Sequence, residues 1–409
     1  MALLKLALVF GGIVLLLTQR WNLGLVLYLA SLAIGLLFGH PLLAVGQDVL
    51  LAAVEPVTLT LILIVVLIMT LGGSLHHSAA TQRMVQAMEA LIPNGRIVIA
   101  AIPAMLGLLP VAGGAMLSAP MVEEVGERLK AEPARKMFIN YWYRHIWEPT
   151  FPLYPSMVLA AALLELSPLQ LAAATWPLVV VAAIVGIPFG LLGMPRRGDG
   201  DPHSVRWTVS VRTLAESMWP VVLVIALALM GSVWIEERVS LILSLLAALT
   251  LMVLLKRLSP QILWKIWRNE VRWEIVLVIL GAFAFRRVLE GSGAIIEVSQ
   301  ELTALQIPLF VVAFAIPFLT ALLTGLTAAS FSIGFPLVLP LVVGNGTISP
   351  DWALWLMASG VAGLLCSPIH LCLALTRVYY EAQWGALYRR LIPAVFLVVL
   401  AAAGMFWFL

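Results

Sequence analysis

The sequence predicts an all-α polytopic membrane protein made of two inverted-topology repeats, each five transmembrane helices plus one re-entrant helical hairpin. Three observations lead there. Of 409 residues, 62% are hydrophobic and only 11% charged, whereas a soluble globule carries roughly 25% charged residues. Apolar runs near the roughly 20 residues that cross a bilayer as helix recur along the chain, and the alternating pattern of a membrane barrel is missing. Finally, two of these runs break off in the same way, Pro103 to Ser118 (PAMLGLLPVAGGAMLS) and Pro317 to Ser332 (PFLTALLTGLTAASFS). In each, a proline is followed by one apolar turn and then by small or hydroxyl residues. Paired interruptions in matching halves are the best sequence pointer to a transporter binding site.

Apolar segments fit spans at about 3–18, 22–38, 56–75, 137–165 and 168–193, then at about 213–232, 237–255, 272–290, 350–377 and 387–409. The first resembles a signal peptide, but no small-residue cleavage site follows before Thr18, Gln19 and Arg20, so it reads as a retained span. One interrupted segment lies between the third and fourth span of each set, at about 95–125 and 307–343. Short amphipathic stretches, 41–54 and 259–271, precede the third span of each half. The order of parts is therefore the same over residues 1–193 and 213–409, and the hydrophilic stretch 194–212 reads as a cytoplasmic linker.

Positive charge tests this topology, because cytoplasmic loops collect Lys and Arg. If the interrupted segments are hairpins returning to their side of entry, and both termini are outside, the cytoplasmic side receives all 24 basic residues except Lys5, Arg238, Arg286 and Arg287. Full crossings would put the basic loop 128–144 opposite 83–96 and shrink the asymmetry. Five spans per half is an odd number, so the second half must sit inverted, as in secondary transporters. The net charge of +3 thus reports topology and gives no support for nucleic-acid binding.

The first hairpin tip has no bulky side chain between Ala112 and Ala115, and Gly113 and Gly114 let the backbone turn, with Ser118 following. The second tip offers the hydroxyls of Thr324, Thr327, Ser330 and Ser332. Helix N-termini after such turns suit an anion, and freed carbonyls suit Na⁺; close packing through small residues is the simpler alternative. Pro149 and Pro368 fall mid-span in the segment after each hairpin, preceded by Glu148 and Ser367, and should break both helices. Glu148 stands out because an ionisable side chain at membrane depth is a functional hypothesis by default. It would carry a coupling proton or help neutralise a bound cation, with a structural pairing to His145 or Arg144 as the alternative. His145 and His370 are weaker candidates, His370 being placed with the substrate. Cys366 and Cys372 read as packing residues, with no disulfide or metal site implied, and His76 and His77 lack companion ligands. Glu123 and Glu124 fit a solvated face beside Arg128, Arg377 snorkels to the surface, and Trp142, Trp147, Trp352 and Trp355 fit interfacial belts.

The runs LLPVAGGAMLSAP (Leu108 to Pro120), NYWYRHIWE (Asn140 to Glu148) and SPIH (Ser367 to His370) resemble domain-of-unknown-function family 401, a prokaryotic membrane family without an assigned substrate, over nearly the whole chain. The resemblance implies membership of the ion transporter superfamily of citrate, gluconate, dicarboxylate and arsenite carriers. It further implies a homodimeric, elevator-type carrier of the prokaryotic inner membrane, with substrate and Na⁺ held by two hairpin tips and two unwound helices. Carried over, the tips are Ala112 to Ser118 and Thr324 to Ser330, and the unwound segments are Glu148–Pro149 and Ser367–Pro368. The Ser-Asn-Thr signature of the dicarboxylate carriers is absent at both tips.

The expected function is secondary active transport of a small organic anion coupled to Na⁺ or H⁺. Gly113, Gly114, Ser118, Thr324, Thr327, Ser330 and His370 would bind substrate, and Glu148, Pro149, Ser367 and Thr324 the coupling ion. Other than that ion no cofactor is expected, and the partners are the solute and the lipid bilayer. The rivals are an intramembrane enzyme using His145 and Glu148 as acid and base, which share a helix face at this spacing, and a passive channel.

Overall fold

The structure, a computed structural model, describes residues 1–77, 83, 87, 92, 94–108, 114–195, 207–256, 258–343 and 346–408. No strand occurs among them. The first half contributes α1 (Ala2–Thr18), α2 (Leu23–Leu37), α3 (Leu42–Val54), α4 (Pro56–His77), α5 (Gly95–Gly107), α6 (Gly114–Arg128), α7 (Pro133–His145), α8 (Pro155–Leu163) and α9 (Pro168–Gly186). The second contributes α10 (Trp207–Gly231), α11 (Glu237–Lys256), α12 (Pro260–Asn269), α13 (Trp273–Gly291), α14 (Ala294–Ala304) and α15 (Leu309–Thr324). There follow α16 (Thr327–Ala329), a π-helical turn (Ser330–Gly334), α17 (Phe335–Val342), α18 (Pro350–Cys366), α19 (Leu371–Tyr380) and α20 (Trp384–Phe408).

Helix starts follow from local chemistry. Ser167-Pro168, Ser259-Pro260 and Ser349-Pro350 each open a helix, the serine accepting a backbone N–H inside the first turn and the proline occupying the first helical position. A hydroxyl cap satisfies an orphan donor, and proline has no N–H to orphan. Gln170 completes a capping box at α9.

Among the described residues, six helical stretches are long and apolar enough to cross a membrane: Pro56–Leu75, Pro168–Leu191, Val211–Gly231, Glu237–Lys256, Pro350–Tyr380 and Trp384–Trp407. They make the chain a multi-pass membrane protein. The sequence suggests ten spans, and the others fall short for identifiable reasons. Helices α1 and α2 have 17 and 15 residues, or about 26 and 23 Å against a hydrocarbon core of roughly 30 Å. Charges crowd both ends of α13, with Glu274 near one and Arg286, Arg287 and Glu290 near the other. The segment 137–165 is split into α7 and α8.

Packing between the halves is reciprocal. Helix α2 packs on α13, and its counterpart α11 packs on α4. The short helix α3 lies against α13, and the short helix α12 against α4. Helix α9 packs on α18, α20 packs on α7, and α9 and α20 pack on each other. Within each half, α5 lies on α7 and α15 on α18. The second arm of each interrupted segment crosses to the other half: α6 packs on α19, and the turn 330–334 on α8.

Candidate functional site

Both mid-span prolines sit in helix breaks. Helix α7 ends at His145, and residues 146–154 form successive turns before Pro155 starts α8. Helix α18 ends at Cys366, after which Ser367 to His370 are extended or turned until Leu371 starts α19. Ser367 donates to Leu322 O (2.7 Å), and His370 Nδ1 lies 2.8 Å from Gly325 O, so the second break is held against the end of α15.

Gly325 makes that contact possible. It caps α15 in the left-handed region, φ 70°, and a Cβ there would come within 2.9 Å of the His370 backbone nitrogen. Only glycine adopts this conformation without cost and leaves room for the neighbour. The first interrupted segment makes a parallel contact. Tyr154 donates to Gly107 O, Trp147 Nε1 donates to Ala104 O at 2.7 Å, and a Cβ on Gly107 would reach 2.5 Å from Arg144 O. Each interrupted segment therefore rests on the helix break of its own half.

The breaks also meet each other. His145 Nε2 and His370 Nε2 are 3.2 Å apart, their rings edge to face. Thr327, the first residue of α16, donates to Glu148 Oε1 at 3.0 Å. Arg144, His145, Glu148, Tyr154, Leu326 and Cys372 line one cavity of about 370 Å³, which also touches Asn269 and Arg272. That volume lies in the range of small-molecule sites.

The fold brings Thr327, Glu148 and His370 together. Other anticipated site residues lie elsewhere or turn inward. Ser330 donates to Pro317 O (2.8 Å), Thr324 to Thr320 O (2.6 Å) and Ser118 to Ala115 O (3.2 Å), and Ser118 and Ser330 are fully buried. Pro149 lines a separate small apolar pocket beside Trp142 and Ile146. Gly114 opens α6, while Pro110, Ala112 and Gly113 lie outside the described residues, as does most of the linker, 196–206.

Three residues gain importance from the fold. Cys372, which the sequence suggests is packing, lies beside both histidines; the local signal is the pair His370 and Cys372 at the start of a helix. Asn140 is fully buried and donates to Ala115 O (2.9 Å), while its Oδ1 has no hydrogen-bond partner among the described residues. Lys136, 3% exposed, bonds Glu123 (2.6 Å) and Glu127 (2.5 Å), so Glu123 belongs to a buried cation's shell, while Glu124 pairs with Arg128.

These features define an all-helical, multi-pass membrane protein whose two broken helices meet beside a cavity. The family described as Protein of unknown function (DUF401) matches residues 2–407, so the chain belongs to it. No curated protein matches the chain.

Proposed function

We propose that the chain is a secondary active transporter of the elevator type, related to the ion transporter superfamily, moving a small organic anion coupled to Na⁺ or H⁺. The observation that carries this reading is the hydrogen bond from Thr327 to Glu148 beside the 370 Å³ cavity. It ties the turn of the second interrupted segment to the helix break of the first half. An ionisable group, a hydroxyl and freed backbone at membrane depth are what a solute site needs, and irregular backbone survives there only beside protein or water.

The inverted topology has its own support. In the orientation from charge counting, the ion pairs seen among the described residues join segments assigned to one side. On the outer side, Lys5 pairs with Glu297 (3.6 Å), Arg287 with Asp48 (3.3 Å) and Glu55 (2.6 Å), and Arg286 with Glu165. Arg238, Arg286 and Arg287 line one cavity of about 380 Å³. On the cytoplasmic side, Arg390 pairs with Glu132 and donates to Phe189 O. The reciprocal packing is what two inverted halves produce. Because the central cavity reaches Asn269 and Arg272, assigned to the cytoplasm, this conformation is read as inward-facing.

The enzyme alternative is weakened by geometry. His145 Nδ1 faces Tyr141 O (2.7 Å) and its Nε2 faces His370, so both ring nitrogens are engaged away from Glu148.

Counterflow in proteoliposomes with imposed Na⁺ or proton gradients tests the proposal. Gradient-driven uptake of a small acid is expected. Uptake indifferent to every gradient would sink the coupled mechanism. Glu148→Gln is expected to abolish proton-driven accumulation while leaving exchange intact, and unchanged coupling would remove Glu148 from that role.

A further inference from the structure

We propose that His145, His370 and Cys372 form a binding site for a borderline-soft transition-metal ion of the Zn²⁺ class. Their ligand atoms lie within 4.8 Å of one another. His145 Nδ1 lies 2.7 Å from Tyr141 O and His370 Nδ1 2.8 Å from Gly325 O. A carbonyl only accepts, so each Nδ1 carries the ring proton, and each neutral ring keeps its lone pair on Nε2. Those two Nε2 atoms face each other at 3.2 Å. Two lone pairs at that distance repel unless a positive centre lies between them.

A metal ion fits that requirement. Nitrogens bound at roughly 2.0–2.1 Å to a tetrahedral ion stand about 3.3–3.4 Å apart, close to the separation found. The carbonyl contacts on Nδ1 are the outer hydrogen bonds that fix the tautomer of metal-bound histidines. A thiolate with two imidazoles selects Zn²⁺ or its neighbours over Na⁺, Mg²⁺ or Ca²⁺. On binding, the Cys372 thiol gives its proton to solvent and the sulfur coordinates the ion. Three protein ligands leave a fourth position for water or a solute on the side of the cavity, where Glu148 offers negative charge and Arg144 positive. His145 comes from the first half, and His370 and Cys372 from the second, so the ion would clamp the two helix breaks together.

The purified full-length protein in detergent, titrated with Co²⁺, tests the site without reference to transport. One Co²⁺ per chain is expected, with a thiolate-to-cobalt charge-transfer band that Zn²⁺ displaces. The chain has two cysteines, so the band should vanish in Cys372→Ser and persist in Cys366→Ser. His370→Ala should weaken binding about tenfold or more. Absence of bound Co²⁺ in the unaltered protein overturns the proposal and leaves a proton shared between the two rings. A band that survives Cys372→Ser overturns it as well, by placing the thiolate ligand at Cys366.

Discussion

Thr327 holds a carboxylate inside a helix break, so its hydroxyl matters more than its size. Thr327→Val keeps the shape and deletes the donor to Glu148, leaving that carboxylate short of a partner at 3.0 Å. The expected loss is about 1–3 kcal/mol, read as a lower melting temperature in detergent, with Thr327→Ser restoring most of it. An unchanged melting temperature in Thr327→Val would show that the bond contributes nothing. At this scale the sequence was informative where chemistry was locally out of place. Glu148, Thr327 and His370 each break an apolar pattern. What it could not show is who meets whom, because His145 and His370 are 225 residues apart and only packing sets their rings edge to face. Thr324 and Ser330 look equivalent to Thr327 in the sequence, yet their hydroxyls return to backbone carbonyls of α15. The Thr324 hydroxyl is satisfied by a carbonyl one turn back, whereas that of Ser330 depends on α15 packing beside it, and composition reveals neither.

Helix α6 is tied to α7 by Lys136, which bonds Glu123 and Glu127 at the ends of the two helices, before the broken span. The hydrogen bond from Lys136, together with its charge, holds the Glu127 carboxyl below the usual carboxylate range. Burial pulls the Lys136 ammonium down, but the hydrogen bonds it donates to Glu123 and Glu127, with the charge of both, more than offset this and leave it raised. The Glu127 contribution is present above the carboxylate's unfolded value and fades as pH falls through its lowered folded value. The Lys136 contribution is complete below the ordinary lysine value and fades as pH rises through the raised one. Lys136→Met should therefore flatten the acid limb of a melting-temperature profile measured from neutral pH downward. A limb as steep as that of the unaltered protein would remove this tether. Helix boundaries were largely legible, since Ser-Pro starts and mid-span prolines act through their own residues. The shortness of α1 and α2 was legible too: the apolar runs 3–18 and 22–38 already end within a residue of where the helices stop, at Thr18 and Leu37.

For the whole molecule, the proposed orientation is open to a direct labelling test. In a chain with Cys366 and Cys372 replaced by serine, a cysteine at Glu236 should react with an impermeant maleimide added outside intact cells. One at Gln383 should react only after the membrane is opened, both positions being exposed. The opposite pattern would invert the topology, and reaction of both from outside would refute it. The proposed orientation rests on how unevenly the basic residues are placed along the sequence. The exchange of partners between halves was not readable there, because it depends on which apolar faces fit. That exchange bears on how the protein can be divided. With α2 seated on α13 and α4 on α11, neither half can be lifted away as a unit. Two polypeptides severed between residues 195 and 207 are expected to reconstitute the fold when co-expressed, and each alone to be cleared by quality-control proteases. Gene halves and mechanical parts would then follow different seams, with any rigid body that slides through the bilayer assembled from pieces of both.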